Sequence, residues 1–314
     1  MRILDGRELI RKVAGWIGRR KCLEITIIPD KPPDSMPHII KDALANHLAP
    51  SELDIIFSAF DMIGDIVILK IPECLMKKKS IIGDAVLSKV KTAKSVFIQT
   101  SAVKGDFRLR DLEYLAGENK TETEYKEHGC RFKVDIVNVY FSPRLSSERF
   151  RVAQLVQNNE VITNMFGGIG TYSILIAKMN KTCTVYNIDS NIHAANLCKF
   201  NAKLNKVQDR VISILGDAAH VIETELSGSS HRVLMPLPER ASEYVSSAVE
   251  ALTDHKGIIH YFVHVSARNK KLGCSEGALS AKNAFKNYQH TLLQTKVVRE
   301  VGPRLYQTVS DVQL

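Results

Sequence analysis

The stretch NMFGGIGTYSILIAK, residues 164–178, decides how the rest of the chain is read. An apolar run leads into Gly167-Gly168-Ile169-Gly170, and an apolar segment of helical period leaves it. Glycines at such a corner let the backbone take positive φ and let a ligand approach the main chain. A strand, a glycine turn and a helix in this order form the first binding corner of a doubly wound α/β sheet. Ligands of such sheets sit beyond the carboxyl ends of the strands.

The residues downstream keep the same rhythm. EVITNMF reads as a strand, TYSILIAKM as a helix and CTVYNID as a strand. NIHAANLCKFNAKLNKV is a helix with Ala194, Leu197, Cys198 and Leu204 on one side. VISILGD and RVLMPLP are strands, ASEYVSSAVEAL a helix and GIIHYFVHV a strand. SEGALSAKNAFKNYQ supplies a late helix, and the C-terminal TKVVREVGPRLYQTVSDVQL a closing hairpin. Alternation of this kind predicts βαβ units and a parallel sheet covered on both faces. The fold class is therefore α/β, a Rossmann-like doubly wound sheet with a smaller α+β domain upstream.

The upstream texture differs. Residues 1–52 carry Pro29, Pro32, Pro33 and Pro37, which break helices, and read as a small N-terminal element. Residues 53–142 contain the β-rich runs DIVILKIP and SVFIQTS. The alternation from Arg131 to Phe141 predicts a half-buried strand. Residues 144–158 predict a helix, with Ser146 or Ser147 as its cap. The large α/β domain is assigned to residues 143–314.

Three strand ends narrow the ligand. A dinucleotide fold asks for G-x-G-x-x-G, and Ser173 stands where the third glycine belongs after Gly168 and Gly170. A nicotinamide enzyme is therefore disfavoured. The second strand ends in Asp189, an acid able to accept from both ribose hydroxyls. The third ends in Gly216-Asp217, whose carboxylate can meet an adenine amine. Either acid alone reads equally as a helix cap. Together with the glycine turn they fit an adenosine without a pyrophosphate, as in S-adenosylmethionine.

Bulk properties exclude some classes. The 314 residues are 45% apolar and 25% charged, ordinary for a globular protein. No apolar run reaches the roughly 18 residues that span a bilayer, and the N-terminus lacks a signal-peptide core. A cytoplasmic setting is expected. The six cysteines form no C-x-x-C pair, so no metal site is expected. The net charge of +9 allows a nucleic-acid partner.

The motifs FRLRDLEYLAGENKTETEYKEHGCRFKVDIVNVYFSPRLSSERFRVAQLV, NMFGGIG, NIDSN, LNKV, LGDA, RVLMPLPE and GIIHYF resemble those of the archaeal and eukaryotic tRNA (guanine-N1)-methyltransferases. The resemblance covers the chain from about residue 55 onward, and VYFSPRLSSER is its most distinctive part. It implies S-adenosylmethionine as methyl donor and N1 of guanine 37, just 3′ of the anticodon, as acceptor. The partner is the tRNA anticodon stem-loop, and no obligatory protein partner is expected. Residues 53–142 become an RNA-binding and linking domain.

Matching motif positions place a catalytic base on Glu148 and an oxygen-stabilising cation on Arg108. Cofactor contacts fall on Tyr140, Phe141, Arg149, Phe166, Gly168, Gly170, Asp189, Ser190, Asn191, Asp217, Ala218 and Pro236. Pro236 and Pro238 stand in the loop near the target base. Here the family usually has asparagine where this chain has Pro236, and aspartate where it has Asn164.

The chemistry asks for both charged groups. Guanine N1 carries a proton at neutral pH, and charge builds on O6 as that proton leaves. A base at N1 and an arginine at O6 answer the two needs. Arg144, Arg299 and Arg304 are candidate RNA contacts, and Tyr140 a stacking surface for an extruded base. Glu148 and Arg149 read alternatively as a surface ion pair. Two other functions stay open: an aminocarboxypropyl transfer to the same tRNA position, and a non-catalytic tRNA-binding homologue.

Overall fold

The computed structural model describes residues 42, 44–56, 60–101, 105 and 107–314. Most of the expected N-terminal element, with its four prolines and Cys22, lies outside the described residues.

A short helix α1 (Pro50–Ile56) precedes a four-stranded sheet. Its strands are β1 (Phe60–Ile63), β2 (Ile66–Leu69), β3 (Ser95–Gln99) and β4 (Leu112–Gly117), in that order. Parallel strands need a crossover, and α2 (Lys79–Lys89) carries the chain from β2 to its parallel neighbour β3. Strand side chains alternate between faces. Val67, Leu69 and Val96 therefore pack with Ile82 and Val86 of α2. Ile66, Ile68 and Phe97 join a second apolar cluster that continues through Phe132, Val152 and Leu175.

β5 (Glu122–Glu127) and β6 (Cys130–Asp135) form an antiparallel hairpin. The strand expected over Arg131–Phe141 is thus shorter. Asp135 ends it: its carboxylate accepts from Val137 N and Asn138 Nδ2, and its carbonyl from Val139 N. A 3-10 turn (Pro143–Leu145) then enters α3 (Ser146–Leu155). No side-chain cap bond forms there, and the Ser146 hydroxyl binds His128 Nε2 instead, at 2.9 Å.

From here strands and helices alternate as the pattern predicts. The elements are β7 (Val161–Asn164), α4 (Thr171–Met179), β8 (Thr184–Asp189), α5 (Ile192–Leu204) and β9 (Val211–Leu215). Next come α6 (Ala218–Val221), β10 (Arg232–Met235), α7 (Val245–Glu250) and β11 (Ile258–Ser266). The chain ends with α8 (Lys270–Ala284), β12 (Thr291–Gly302) and β13 (Leu305–Gln313). ASEYVSSAVEAL divides into a 3-10 turn and α7. The late helix starts earlier than expected, because Asn269 caps it by accepting from Leu272 N.

The seven strands stand in the order β12-β13-β11-β10-β7-β8-β9. β9, β8, β7, β10 and β11 run parallel, and the closing hairpin is antiparallel. The chain leaves β7 toward β8 and β9, then returns to β10 on the opposite side. This reversal opens a crevice beyond the carboxyl ends of β7 and β10.

The sheet also carries a row of charges, with Glu148, Arg232, His260 and Asp311 buried. Arg232 of β10 is only 2% exposed, holds Glu160, and donates to His260 Nε2 at 2.8 Å. The other ring nitrogen of His260 donates to Asp311 at 2.6 Å. Arg151 of α3 binds both Asp311 and Glu148, and Lys296 closes the row on Glu148 at 2.8 Å. Burial works to raise the Asp311 carboxyl, yet His260 and Arg151 hold it well below the ordinary carboxylate range. A depressed folded-state pKa gives stability that is complete above the unfolded value and lost as pH falls through the folded one. Asp311→Ala should therefore destabilise the fold at neutral pH by about 3–5 kcal/mol. Urea midpoints against pH check this, and the variant should lose part of the acid slope below the ordinary aspartate range.

Candidate active site

The glycine turn is shaped by its neighbours as much as by any ligand. A Cβ on Gly167 would lie 2.1 Å from Asn187 Oδ1, so β8 can approach only a glycine there. Gly168 has φ +54°, and a Cβ on it would meet open space. Gly170 has φ +86°, and its missing Cβ leaves room for Cys198 Sγ of α5. Gly170 therefore serves helix packing and does not line the crevice, contrary to expectation.

Below the turn lies a neutral polar cluster. Asn164 Nδ2 donates to Ser173 Oγ at 3.1 Å, and Ser173 Oγ donates to Asn187 Oδ1 at 2.6 Å. Ser173 is thus turned into the core, away from any phosphate position. Asn164 Oδ1 has no hydrogen-bond partner.

The crevice holds a cavity of about 390 Å³. Gly168, Asp189, Ser190 and Asn191 line one side, and Asp217 and Ala218 another. Asp189 Oδ2 accepts from Gly168 N at 2.7 Å and Oδ1 from Asn191 N at 2.9 Å. Two backbone donors thus fix the carboxylate and leave each oxygen a lone pair. Burial raises the Asp189 carboxyl above its ordinary value, against those two bonds. Asp217 does both of the things its position allowed. It caps α6 by accepting from Ala219 N and His220 N, and it lines the cavity. Phe166, Pro236, Leu237 and Tyr244 supply apolar walls, with Phe166 and Tyr244 edge to face at 4.9 Å. An adenosine fits this donor set: a flat apolar slot, a fixed carboxylate for ribose and a second one at the far edge.

A smaller cavity of about 60 Å³ adjoins it, lined by Tyr140, Phe141, Arg149, Phe166, Gly168 and Pro236 among others. Arg149 is 2% exposed, grips Glu127 with two nitrogens and donates to Ser142 O. It is not a surface partner of Glu148. The Tyr172 hydroxyl also faces this buried region and has no hydrogen-bond partner.

Arg108 closes the mouth. It has φ +55° and lays its guanidinium over the Tyr140 ring at 4.0 Å. Its Nη2 pairs with Glu239 at 3.1 Å, while its Nε has no partner. One face of Tyr140 is thus covered by Arg108, and the Tyr140 hydroxyl accepts from Arg299 at 3.1 Å. Burial works to raise that hydroxyl, but Arg108 and Arg299 outweigh it and bring it below its ordinary value.

The structure separates several of the expected site residues. Glu148 is 2% exposed, bound by Arg151 and Lys296, and lines neither cavity. Pro238 is buried behind the loop and lines neither. Arg299 spends its guanidinium inward on Gln307, Ser142 and Tyr140, which removes it from the candidate RNA contacts. Arg144 is half-exposed and pairs with Asp61, and Arg304 is exposed at the tip of the closing hairpin. Sequence reasoning missed Phe107, Leu237, Arg240 and Tyr244. Phe107 adjoins Arg108 and is 44% exposed at the mouth, so its neighbour was the available signal. Leu237 stands between two residues that were singled out, and Arg240 and Tyr244 follow the strand by spacings that no motif marks.

Sheet order, glycine turn and strand-end carboxylates together define a class I methyltransferase fold with an adenosine crevice. A family model described as the TRM5/TYW2 methyltransferase domain matches residues 123–287, and one described as the TYW2 N-terminal domain matches residues 40–121. The Pyrococcus abyssi tRNA (guanine(37)-N(1))-methyltransferase Trm5b is 37% identical over 257 residues, 82% of this chain and 75% of that protein. The Saccharolobus solfataricus tRNA 4-demethylwyosine(37)-methyltransferase Taw21 is 35% identical over 264 residues, 82% of this chain and 94% of that protein. A solved complex of aTrm5 with tRNALeu matches with a TM-score of 0.76 at 33% identity, covering 99% of this chain and 87% of that one. This chain belongs to the TRM5/TYW2 methyltransferase family.

Asp189→Ala should weaken binding of S-adenosylhomocysteine about ten- to hundredfold in calorimetry. In the unaltered protein the affinity should fall on acidification, beginning above the pH at which an ordinary aspartate titrates, because only the ionised carboxylate accepts from both hydroxyls.

Proposed function

We propose that this chain transfers a methyl group from S-adenosylmethionine to N1 of guanine 37 in tRNA. The observation that carries the reading is Arg108: a fixed cation at the crevice mouth, with a buried Nε lacking any partner. A developing negative charge on guanine O6 is what such a donor stabilises. The name of the Pyrococcus abyssi relative and the tRNA bound to a structural neighbour support the same acceptor.

Each residue then has a task. Asp189 holds the ribose, Asp217 meets the adenine edge, and Gly168 lets the donor lie against the main chain. The bound donor supplies an electrophilic methyl. Glu148 takes the N1 proton, turning from its row of charges toward the crevice. Its two cations tolerate this, since Arg151 keeps Asp311 and Lys296 is one-third exposed. Phe107 offers the extruded base a free ring to stack on. Arg144 and Arg304 contact the RNA backbone. We divide the chain accordingly at residues 52 and 142; the four-stranded sheet ends at Gly117 and the seven-stranded sheet begins at Val161, while the β5–β6 hairpin between them bonds to Asn201 and Asn205 on the larger side.

A cytoplasmic setting belongs to this reading because tRNA is the substrate. Among the described residues no helix is long and apolar enough to cross a membrane. A second reading is methyl transfer to a tricyclic guanine derivative at the same position. The match to nearly the whole length of Taw21 favours it.

Incubation with tRNA and labelled donor, followed by nucleoside mass spectrometry, tests all of these. One methyl on guanine supports the first reading, one methyl only on a tricyclic precursor the second, and a heavier aminocarboxypropyl adduct neither. Glu148→Gln should lower the single-turnover rate about 10²–10⁴-fold while donor affinity stays within a few-fold. Unchanged turnover would remove Glu148 from the chemistry.

A further inference from the structure

The loop after β10 runs Pro236-Leu237-Pro238 and offers no polar side chain to a base in the crevice. Its first polar side chain is Glu239. The Glu239 carboxylate lies 3.1 Å from Arg108 Nη2, and His264 Nδ1 stands 3.7 Å behind the same oxygen, at the end of β11. Glu239 is 43% exposed, whereas the Arg108 side chain is 15% exposed and rests on Tyr140. A donor that lines the cavity and an acceptor just outside it, which lines neither cavity, therefore stand side by side, and the acceptor is the more open of the two.

We propose that Glu239 reads the exocyclic 2-amino group of the target guanine, as the partner of Arg108 on O6. This rests on the proposed transfer to guanine 37. O6 and the 2-amino group flank N1 on one edge of guanine. A guanidinium on the first and a carboxylate on the second bracket the atom that is methylated. Adenine presents an amino group where Arg108 donates and a bare carbon where Glu239 accepts, so both contacts reject it. Without the base the two side chains satisfy each other. Glu239 faces solvent, so the pair is only partly desolvated, and exchanging it for the base edge carries little penalty. Glu239 binds substrate without taking part in the proton transfer, which Glu148 performs. It supplies by side chain what Pro236 lacks.

The test uses the full chain and tRNA transcripts that carry guanosine or inosine at position 37. Inosine keeps O6 and N1–H and lacks only the 2-amino group. The unaltered protein should prefer guanosine about ten- to hundredfold in kcat/KM, the range for a hydrogen bond to a charged group. Glu239→Ala should lower the guanosine value to the inosine value and leave inosine methylation unchanged within a few-fold. Glu239→Gln, which keeps one acceptor oxygen, should fall between. Equal losses on both substrates would mean that Glu239 only holds Arg108, and would overturn the assignment. An unaltered protein that does not distinguish the two bases would overturn it as well. If that protein methylates neither, the proposed activity itself falls, and this assignment with it.

Discussion

The row of charges from Glu160 through Arg232, His260, Asp311, Arg151 and Glu148 to Lys296 fixes where the elements that carry it can sit. Its members come from β10, β11, β12, β13, α3 and the segment before β7. A buried charge is tolerated only when paired, so no one of these elements can shift without stranding a neighbour. His260 shows the constraint. Burial keeps its imidazole below the ordinary value, and the neutral ring can then accept from Arg232 while donating to Asp311. The consequence for the site is indirect and large. α3 is pinned to the sheet through Arg151, which holds Asp311 whether or not Glu148 turns toward the crevice, and this sets the adjacent Arg149 against Glu127 and the smaller cavity.

A second constraint works from the opposite side. Asn164, Ser173 and Asn187 form a neutral hydrogen-bonded cluster directly under the glycine turn. It draws β8 so close to Gly167 that any side chain there would collide. That approach is what brings Asp189 to the amides of Gly168 and Asn191. Ser173 stabilises this cluster where a dinucleotide fold would need a third glycine for close packing of the helix on the strand. The same residue therefore shapes the turn and argues for an adenosine ligand.

The sheet was legible because its signals are local. Buried parallel strands read as short apolar runs, and the helices between them carry a clear period. TYSILIAKM matches α4 residue for residue. The errors came where a partner far along the chain takes over a side chain. Ser146 looked like a cap, but His128 claims its hydroxyl. Arg299 looked like an RNA contact, but Gln307, Ser142 and Tyr140 occupy it. Glu148 and Arg149 looked like an exposed pair because charged neighbours on a helix usually are. Their true partners lie on β5, β12 and within α3 itself, and burial by those partners leaves no trace in the local pattern. Gly170 was misassigned for a related reason: glycine marks a close approach without saying whether a ligand or Cys198 makes it.

The upstream sheet belongs to the site and is more than an appended RNA handle. Arg110 pairs with Asp61 of β1 and donates to the carbonyl of Phe141, and Arg144 reaches the same Asp61. Ile66 and Phe97 share one apolar cluster with α3 and α4. Two residues before Arg110, Arg108 holds a backbone conformation unusual for a side chain of its size. Such a conformation persists only where the surroundings enforce it. The ion pairs on Asp61 and the shared core provide that enforcement, and the guanidinium stays at the crevice mouth before any base arrives. Three arginines thus crowd Tyr140, yet Asp61 and Glu239 balance two of them, and Tyr140 itself takes up the third through its hydroxyl. A base that enters this mouth meets donors already held in direction, and direction rather than net charge is what separates one purine edge from another.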